Sequence, residues 1–211
     1  IEYKDAGLRI KYEDSKGYQY KKEYNEKGLA VRFEDSNKCW WRKEYNEKGL
    51  ETRFEDSDGY WYEKEYNEKG YNKKGLVIRF KDSKEYSWKK EYNKDGLEIK
   101  YEDSDGYRYE KEYNKSGLKI RFKHSKKYWC IIEYNKNCRE TSFEDCNGYW
   151  RRTEYNKYNR EIEFEDSNKN WRKTRYNKDG LETSYEDSDK YWRVRKYNNA
   201  GLEIRFEDSD K

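Results

Sequence analysis

Apolar and charged residues alternate strictly over short stretches of this chain. Residues 97–102 read Leu, Glu, Ile, Lys, Tyr and Glu, so a strand there would carry apolar side chains on one face and charged ones on the other. A turn such as Asp103-Ser104-Asp105-Gly106 closes each stretch. A helix would instead need apolar residues every three or four positions without such breaks. The pattern therefore predicts an all-β protein of short antiparallel strands.

A Tyr-Asn pair recurs at a fixed spacing along the chain. Its Tyr stands at positions 24, 45, 66, 71, 92, 113, 134, 155, 176 and 197, and every interval is 21 residues except the one between Tyr66 and Tyr71. A fixed period of this length is the signature of a repeat protein. We therefore predict that residues 1–211 form a single repeat array of about ten 21-residue β-hairpin units. A five-residue insertion at about 66–75 should form a bulged loop.

Each unit contains two strands and two turns. In residues 50–70 a first strand leads to the turn Asp56-Ser57-Asp58-Gly59, and a second strand leads to a turn that begins at Asn67. Asp or Asn caps such a turn, and Gly accepts the left-handed conformation that closes it. Where Gly is missing, Asn159 is a fair substitute and Cys138 a poor one.

The odd period constrains how the strands pair, because a slip of one residue turns every side chain to the opposite face. A three-residue loop after the first strand and a four-residue loop after the second would restore the parity in each cycle. Leu, Ile, Phe and Tyr would then share one face, face A, while Glu, Arg and Trp would share the other, face B. Ten first strands and nine second strands should form an elongated, curled or solenoid-like meander sheet.

The unit resembles the YD repeats of Rhs-type and teneurin-type proteins, which run from Tyr-Asp-x-x-Gly to an Asp-Pro-Asp-Gly turn at the same spacing. The stretch that carries the resemblance runs from Tyr45-Asn46-Glu47-Lys48-Gly49 to Asp56-Ser57-Asp58-Gly59. Asn replaces the family's Asp, and the chain has no Pro. The resemblance covers nearly the whole chain and implies β-hairpins that wind into a shell. Residues 58–62 are also similar, more weakly, to choline-binding cell-wall repeats.

Composition separates this chain from disordered proteins and from strongly basic ones. Only 32% of the residues are apolar and 45% are charged, but 19% are aromatic, and disordered chains lack aromatic residues. The net charge of +4 gives no strong attraction to nucleic acid or to an anionic membrane. The chain has no apolar run that could span a membrane and no apolar segment at its start that is typical of a signal peptide. We expect no membrane partner and a cytoplasmic location.

Residues for catalysis or metal binding are scarce in the sequence. His124 is the only His, and the Ser residues of the turns have no base nearby in the sequence. Cys39, Cys130, Cys138 and Cys146 follow no metal-ligand spacing, and Cys138 and Cys146 would lie about 26 Å apart on one strand. We therefore expect free thiols, no cofactor, no metal and no enzymatic activity.

A row of Trp residues is the most distinctive feature of the second strands. Trp40, Trp61, Trp129, Trp150, Trp171 and Trp192 occupy one equivalent position, and Arg151, Arg172 and Arg193 replace an aromatic residue in the later units. On face B the row would lie with Arg32, Arg53, Arg79, Arg121 and Arg205. Trp and Arg dominate the binding energy of protein interfaces. The predicted binding residues are Trp129, Trp150, Trp171, Trp192, Arg151, Arg172 and Arg193.

Two interpretations of the Trp row remain open on the sequence, since Trp can also stiffen its own sheet by cross-strand and cation–π contacts. The function that we favour is binding of a protein partner through an extended aromatic and charged face. An inhibitor of a host defence complex, encoded by a mobile element, is a specific version of it. The alternatives are a carbohydrate or cell-wall binding module and a binder of single-stranded nucleic acid.

Overall fold

The computed structural model describes residues 1–4, 7–67 and 75–210. These residues form β-strands and turns without an α-helix, which confirms the all-β class and the tandem antiparallel hairpins. The five-residue insertion at about 66–75 falls largely on residues 68–74, which lie outside the described residues. No helix in the described chain is long and apolar enough to cross a membrane.

The chain divides into two compact units, Ile1–Tyr109 and Glu110–Lys211, called unit 1 and unit 2 below. The strands of the described residues are β1 (Glu2–Lys4), β2 (Leu8–Glu13), β3 (Gln19–Tyr24), β4 (Ala30–Asp35), β5 (Trp40–Tyr45), β6 (Glu51–Asp56), β7 (Trp61–Tyr66), β8 (Val77–Asp82), β9 (Ser87–Tyr92), β10 (Glu98–Asp103), β11 (Arg108–Tyr113), β12 (Lys119–His124), β13 (Trp129–Tyr134), β14 (Glu140–Asp145), β15 (Trp150–Tyr155), β16 (Glu161–Asp166), β17 (Trp171–Tyr176), β18 (Glu182–Asp187), β19 (Trp192–Tyr197) and β20 (Glu203–Asp208).

Within each unit, strands that follow each other in the chain pair antiparallel. The described residues contain one strand more than the sequence predicted. The extra strand is β1, where Tyr3 pairs with Arg9 of β2, because Glu2-Tyr3 matches the Glu-Tyr that ends the second strands. There are thus ten strands of each kind in the described residues.

The two turns of a 21-residue repeat have the same pattern of hydrogen bonds. The prediction of a three-residue loop after the first strand and a four-residue loop after the second is therefore wrong. The Asp14 carboxylate accepts the backbone N–H groups of Lys16 and Tyr18, at 2.8 and 3.0 Å. The Asn25 side chain accepts those of Lys27 and Leu29, both at 3.0 Å. Such side-chain acceptors replace backbone partners in tight turns, which explains why Asp and Asn recur at these positions.

A β-bulge in each 21-residue repeat whose strand pairing is described restores the parity that the odd period upsets. Glu44 pairs with Arg53 and Tyr45 pairs with Glu51, so Thr52 is an extra residue without a partner in the register. Because a bulge places one residue more on one strand than on the other, it brings the Glu51 side chain to the same face as Phe54. The prediction that Glu residues lie only on face B is therefore wrong for this position.

The left-handed position that closes each turn is occupied by Gly or, in seven described turns, by another residue. Gly96 and Gly117 have φ of 78° and 76°, and Asn159 and Cys138 have 62° and 61°. The other non-Gly residues with positive φ are Lys38, Glu85, Lys127, Lys169 and Lys190. The turn assignment made from the sequence is confirmed at these positions.

Very few side chains of the described residues are fully buried. Cys130 and Ile132 are the only apolar side chains there that are buried, and the other large side chains are half-buried or exposed. Contacts between strands are made chiefly by neighbours in the chain. The stability of each unit therefore depends on interactions between successive strands and not on a common core.

Candidate functional site

Face A of unit 1 carries a ladder of aromatic rings. First-strand rings such as Phe54 alternate with second-strand rings such as Tyr62, and centroids of neighbouring rings are 5.2–6.3 Å apart. The ladder runs through Tyr12, Tyr20, Phe33 and Trp41, and then through Phe54, Tyr62, Phe80, Trp88, Tyr101 and Tyr109. Offset stacking at these distances stabilises pairs of aromatic residues. The Tyr and Phe residues of this face thus form a structural element.

Guanidinium groups take the place of every second ring in the later hairpins of unit 2. Arg151 lies over the ring of Phe143 at 4.8 Å, Arg172 over Phe164 at 4.1 Å, and Arg193 over Tyr185 at 4.6 Å. Cation–π contacts therefore continue the pattern in which aromatic stacking joins one strand to the next.

Each of these Arg residues also binds a Glu with two hydrogen bonds. Arg151 donates to both carboxylate oxygens of Glu140 at 2.6 and 3.1 Å, which raises the pKa of the Arg. Arg193 binds Glu182 in the same way, at 2.5 and 2.8 Å. Arg172 and Glu161 form the third such pair. Bidentate pairs of this kind are strong, so these cations are already engaged within their own hairpins.

In unit 1 a Lys supplies the positive charge that Arg supplies in unit 2. Lys43 binds Glu51 at 2.8 Å, and Lys64 lies 3.7 Å from the same carboxylate. Partial burial acts to raise the pKa of Glu51, but the hydrogen bonds from Lys43 and Tyr62 and the charge of Lys64 outweigh it, so the pKa is lowered. At the Lys64 position of the later hairpins stand Thr153 and Thr174. The cation has thus moved by two residues while its Glu partner has stayed.

The predicted set of binding residues is divided between the two faces. Trp150 pairs with Glu144 on face B, whereas the adjacent Arg151 pairs with Phe143 on face A. Because successive side chains of a strand point to opposite faces, the same division holds for Trp171 and Arg172 and for Trp192 and Arg193. The expectation that Arg151, Arg172 and Arg193 lie beside the Trp row is therefore wrong.

The recurring Tyr and Ser residues have structural roles that explain their periodicity. The Tyr45 hydroxyl donates to the carbonyl oxygen of Ala30 at 3.0 Å, which satisfies a backbone acceptor where the bulge interrupts the ladder. The Ser167 backbone N–H donates to the carbonyl oxygen of Trp150 at 2.9 Å, and its hydroxyl accepts from the Trp150 N–H at 3.3 Å. These Ser residues therefore join neighbouring hairpins.

The Trp row lies on face B, at the first position of β5, β7, β13, β15, β17 and β19. Trp129, Trp171 and Trp192 are 37%, 38% and 42% exposed, and all three belong to unit 2. Ile131 and Val194 are exposed on the same face, two residues after Trp129 and Trp192. The sequence analysis missed these two aliphatic residues, although their signal was present: they stand where most repeats have a charged residue.

Three members of the Trp row are covered by cations of the chain itself. Arg42 lies over Trp40 at 5.4 Å, Lys81 over Trp61 at 5.5 Å, and Arg152 over Trp150 at 5.1 Å. Among the described residues, no cation stacks on Trp129, Trp171 or Trp192. The row therefore contains two kinds of Trp: those with a cation of the chain over the ring, and those without one, which are called open below.

Charged side chains on face B of unit 1 largely neutralise each other. Arg53 lies 3.6 Å from Glu63, and Arg79 lies 3.4 Å from Glu65, around a shallow open depression. These pairs are exposed and contribute little to stability. The surface of unit 1 therefore presents a balanced set of charges.

The residues that the sequence offered for other chemistry are dispersed. His124 Nδ1 accepts the Lys126 N–H at 3.1 Å, so this His replaces the Asp that caps other turns. Cys39, Cys130, Cys138 and Cys146 are free thiols. The described part of the chain holds no cluster of three His, Cys, Asp or Glu residues suited to a metal ion.

The fold and the Trp surface define a tandem β-hairpin repeat protein. No protein-family model matches the chain. No curated protein matches it either. Among solved structures it is similar to TcdB2-TccC3, with 10% identity and a TM-score of 0.47 over 96% of this chain, and to the Tc holotoxin pore of Photorhabdus luminescens with a TccC3 mutation, with 11% identity and a TM-score of 0.46 over 96%. The chain spans only 14% of the length of either.

Proposed function

We propose that this chain is a non-catalytic repeat protein of the YD type that binds a protein partner through face B of unit 2. The observation that carries the proposal is the exposure of Trp129, Trp171 and Trp192 without a cation of the chain stacked on them. Exposed large aromatic residues beside aliphatic ones favour association, because their burial in an interface releases water from apolar surface. Ile131 and Val194 extend the apolar surface beside two of these Trp residues.

Face A is the weaker candidate for partner binding. Its rings stack on each other, and its Arg and Lys residues bind Glu side chains of the same hairpins. A partner that used these groups would first have to break the contacts that hold successive strands together. The open Trp residues of face B require no such rearrangement.

The test is affinity capture from the native host with matched baits, followed by mass spectrometry. The baits are the wild type, a triple variant with Trp129→Ala, Trp171→Ala and Trp192→Ala, and a control with Trp40→Ala and Trp61→Ala. We expect one protein to be retained by the wild type and by the control and lost from the triple variant, since hot-spot Trp residues dominate interface energy.

The melting temperature of each bait separates loss of the surface from loss of the fold. Retention of the same protein by a folded triple variant would show that face B of unit 2 does not bind it. Retention of polysaccharide or nucleic acid in place of a protein would overturn the partner class.

A further inference from the structure

The chain itself shows what kind of group fits over a Trp of this row. A guanidinium covers Trp40 and Trp150, and an ammonium covers Trp61, at 5.1–5.5 Å from the ring centroid. Arg42 and Arg152 reach the ring from two residues further along the same strand. Cations at this distance are attracted to the negative face of the indole.

At Trp171 and Trp192 the chain does not supply this cation. Val194 stands two residues after Trp192, where Arg152 follows Trp150. Lys173 stands at the equivalent place after Trp171, but its ammonium binds Glu163 at 3.0 Å. The two indoles therefore keep an open face on the surface of unit 2.

Carboxylates lie directly across the hairpin from these two open indoles. Glu165 pairs in register with Trp171, and Glu186 pairs with Trp192. Glu165 lies 3.8 Å from Arg152 in an exposed ion pair that contributes little, whereas in the described part of the chain Glu186 has no basic group within ion-pair distance. An indole face beside a carboxylate attracts a positive charge through both groups. Trp129 differs, because its register partner is Lys123 and not a carboxylate.

We propose that Trp171 with Glu165 and Trp192 with Glu186 form two subsites for Lys or Arg side chains of the partner protein. This inference rests on the proposed function and specifies which side chains the partner presents. Glu186 faces Trp192 on one side and Lys173 on the other, and Lys173 is two residues from Trp171. Two strand spacings and a two-residue offset separate the subsites by about 12 Å. An extended segment with two cations four residues apart, about 13 Å, matches this distance.

The experiment measures binding of two labelled peptides to the intact protein by fluorescence anisotropy. One peptide consists of threonine and serine with two arginines four residues apart, and the other has neutral citrulline in place of both arginines. We expect the arginine peptide to bind at least about 5-fold more tightly at low salt, because the contacts are cation–π and ionic.

The variants separate the two subsites from the rest of the Trp row. Trp171→Leu, Trp192→Leu and Glu186→Gln should each weaken binding of the arginine peptide by about 5-fold, since Leu keeps an apolar side chain but provides no π face. The matched controls are Trp40→Leu, whose ring is already covered by Arg42, and Glu144→Gln, whose partner Trp150 is already covered by Arg152. Both controls should change binding by less than about 2-fold.

The failure of this inference is distinguishable from failure of the proposed function. If both peptides bind equally, or the arginine peptide does not bind at millimolar concentration, the cation subsites are wrong. A captured partner that still depends on Trp129, Trp171 and Trp192 would then leave the proposed function standing with an apolar contact. If capture of the partner did not depend on these Trp residues, both the cation subsites and the proposed function would be wrong.

Discussion

At the scale of single residues, the left-handed turn position separates good repeats from strained ones. Gly148 and Cys138 occupy equivalent positions in turns of unit 2, with φ of 79° and 61°. A side chain with a Cβ pays a steric penalty in this conformation, whereas Gly does not. The non-Gly turns are therefore sites where the array can be stabilised.

Replacing Cys138 with Gly should raise the free energy of unfolding by about 1 kcal/mol, because it removes the Cβ from a left-handed residue. The reverse change, Gly117→Cys, should lower it by a similar amount. Chemical denaturation of both variants measures the effect. Equal stability of the two variants would contradict the left-handed assignment.

At the scale of strands, a half-buried Glu on face A binds a basic side chain in both units, but the basic residue and its position differ. Tyr62 and Lys64 both contact Glu51 in unit 1, whereas Arg151 alone binds Glu140 in unit 2, with Thr153 at the Lys position. Tyr62 and Arg151 occupy equivalent positions eleven residues after their Glu. The exchange preserves a positive partner for a half-buried carboxylate, because an unpaired one would be costly.

This equivalence predicts a rescue. Arg151→Tyr alone should cost about 1 kcal/mol, because Glu140 loses its charged partner. Adding Thr153→Lys should recover most of the loss, since the pair then matches Tyr62 and Lys64. A double-mutant cycle on the free energy of unfolding tests the coupling, and additive effects would show that the two positions do not share Glu140.

Acid should weaken the same network. The folded-state pKa of Glu51 is lowered, so its carboxylate contributes stability that is fully present above the unfolded pKa and is lost as the pH falls through the folded value. The wild type should therefore lose its advantage over Glu51→Gln below about pH 4, near the usual pKa of Glu. Thermal melts of both proteins across this pH range measure how far the difference between their melting temperatures decreases. A constant difference would exclude Glu51 as the titrating group.

At the scale of the whole molecule, stability is the sum of contacts between neighbouring strands. No strand in the described residues depends on a distant core, since buried apolar side chains there are limited to Cys130 and Ile132. Repeat proteins of this kind tolerate changes in the number of repeats better than globular domains tolerate deletions.

Deleting residues 161–181, one complete 21-residue repeat, should therefore leave a folded protein with a β-type circular dichroism spectrum and a lower free energy of unfolding. Arg160 then precedes Glu182 as Leu181 did, and the turn, bulge and register are preserved. Deleting residues 161–170, one strand and one turn, should disrupt the neighbouring strands, because it joins two second strands. Equal effects of the two deletions would contradict nearest-neighbour stability.

The hairpins, the turns and the period could all be predicted from the amino-acid sequence. Asp14 and Asn25 accept the same backbone N–H groups in turn after turn, so these features depend on residues close together in the chain. Hydrogen bonds between residues that are close together in the chain can be predicted from the sequence. The Trp row was also identified correctly as one equivalent position on face B.

Which side chains share a face, and which already have a partner within the chain, depends on the pairing of the strands in space. The bulge of each described repeat, at Thr52 in one of them, determines which face the preceding Glu shares, and its register joins two strands and not sequence neighbours. The pairing of the strands also shows Arg151, Arg172 and Arg193 on face A, where they bind their Glu partners. The open state of Trp171 and Trp192 was equally invisible in the sequence, because cation–π contacts depend on the spatial position of Arg152, Val194 and Lys173.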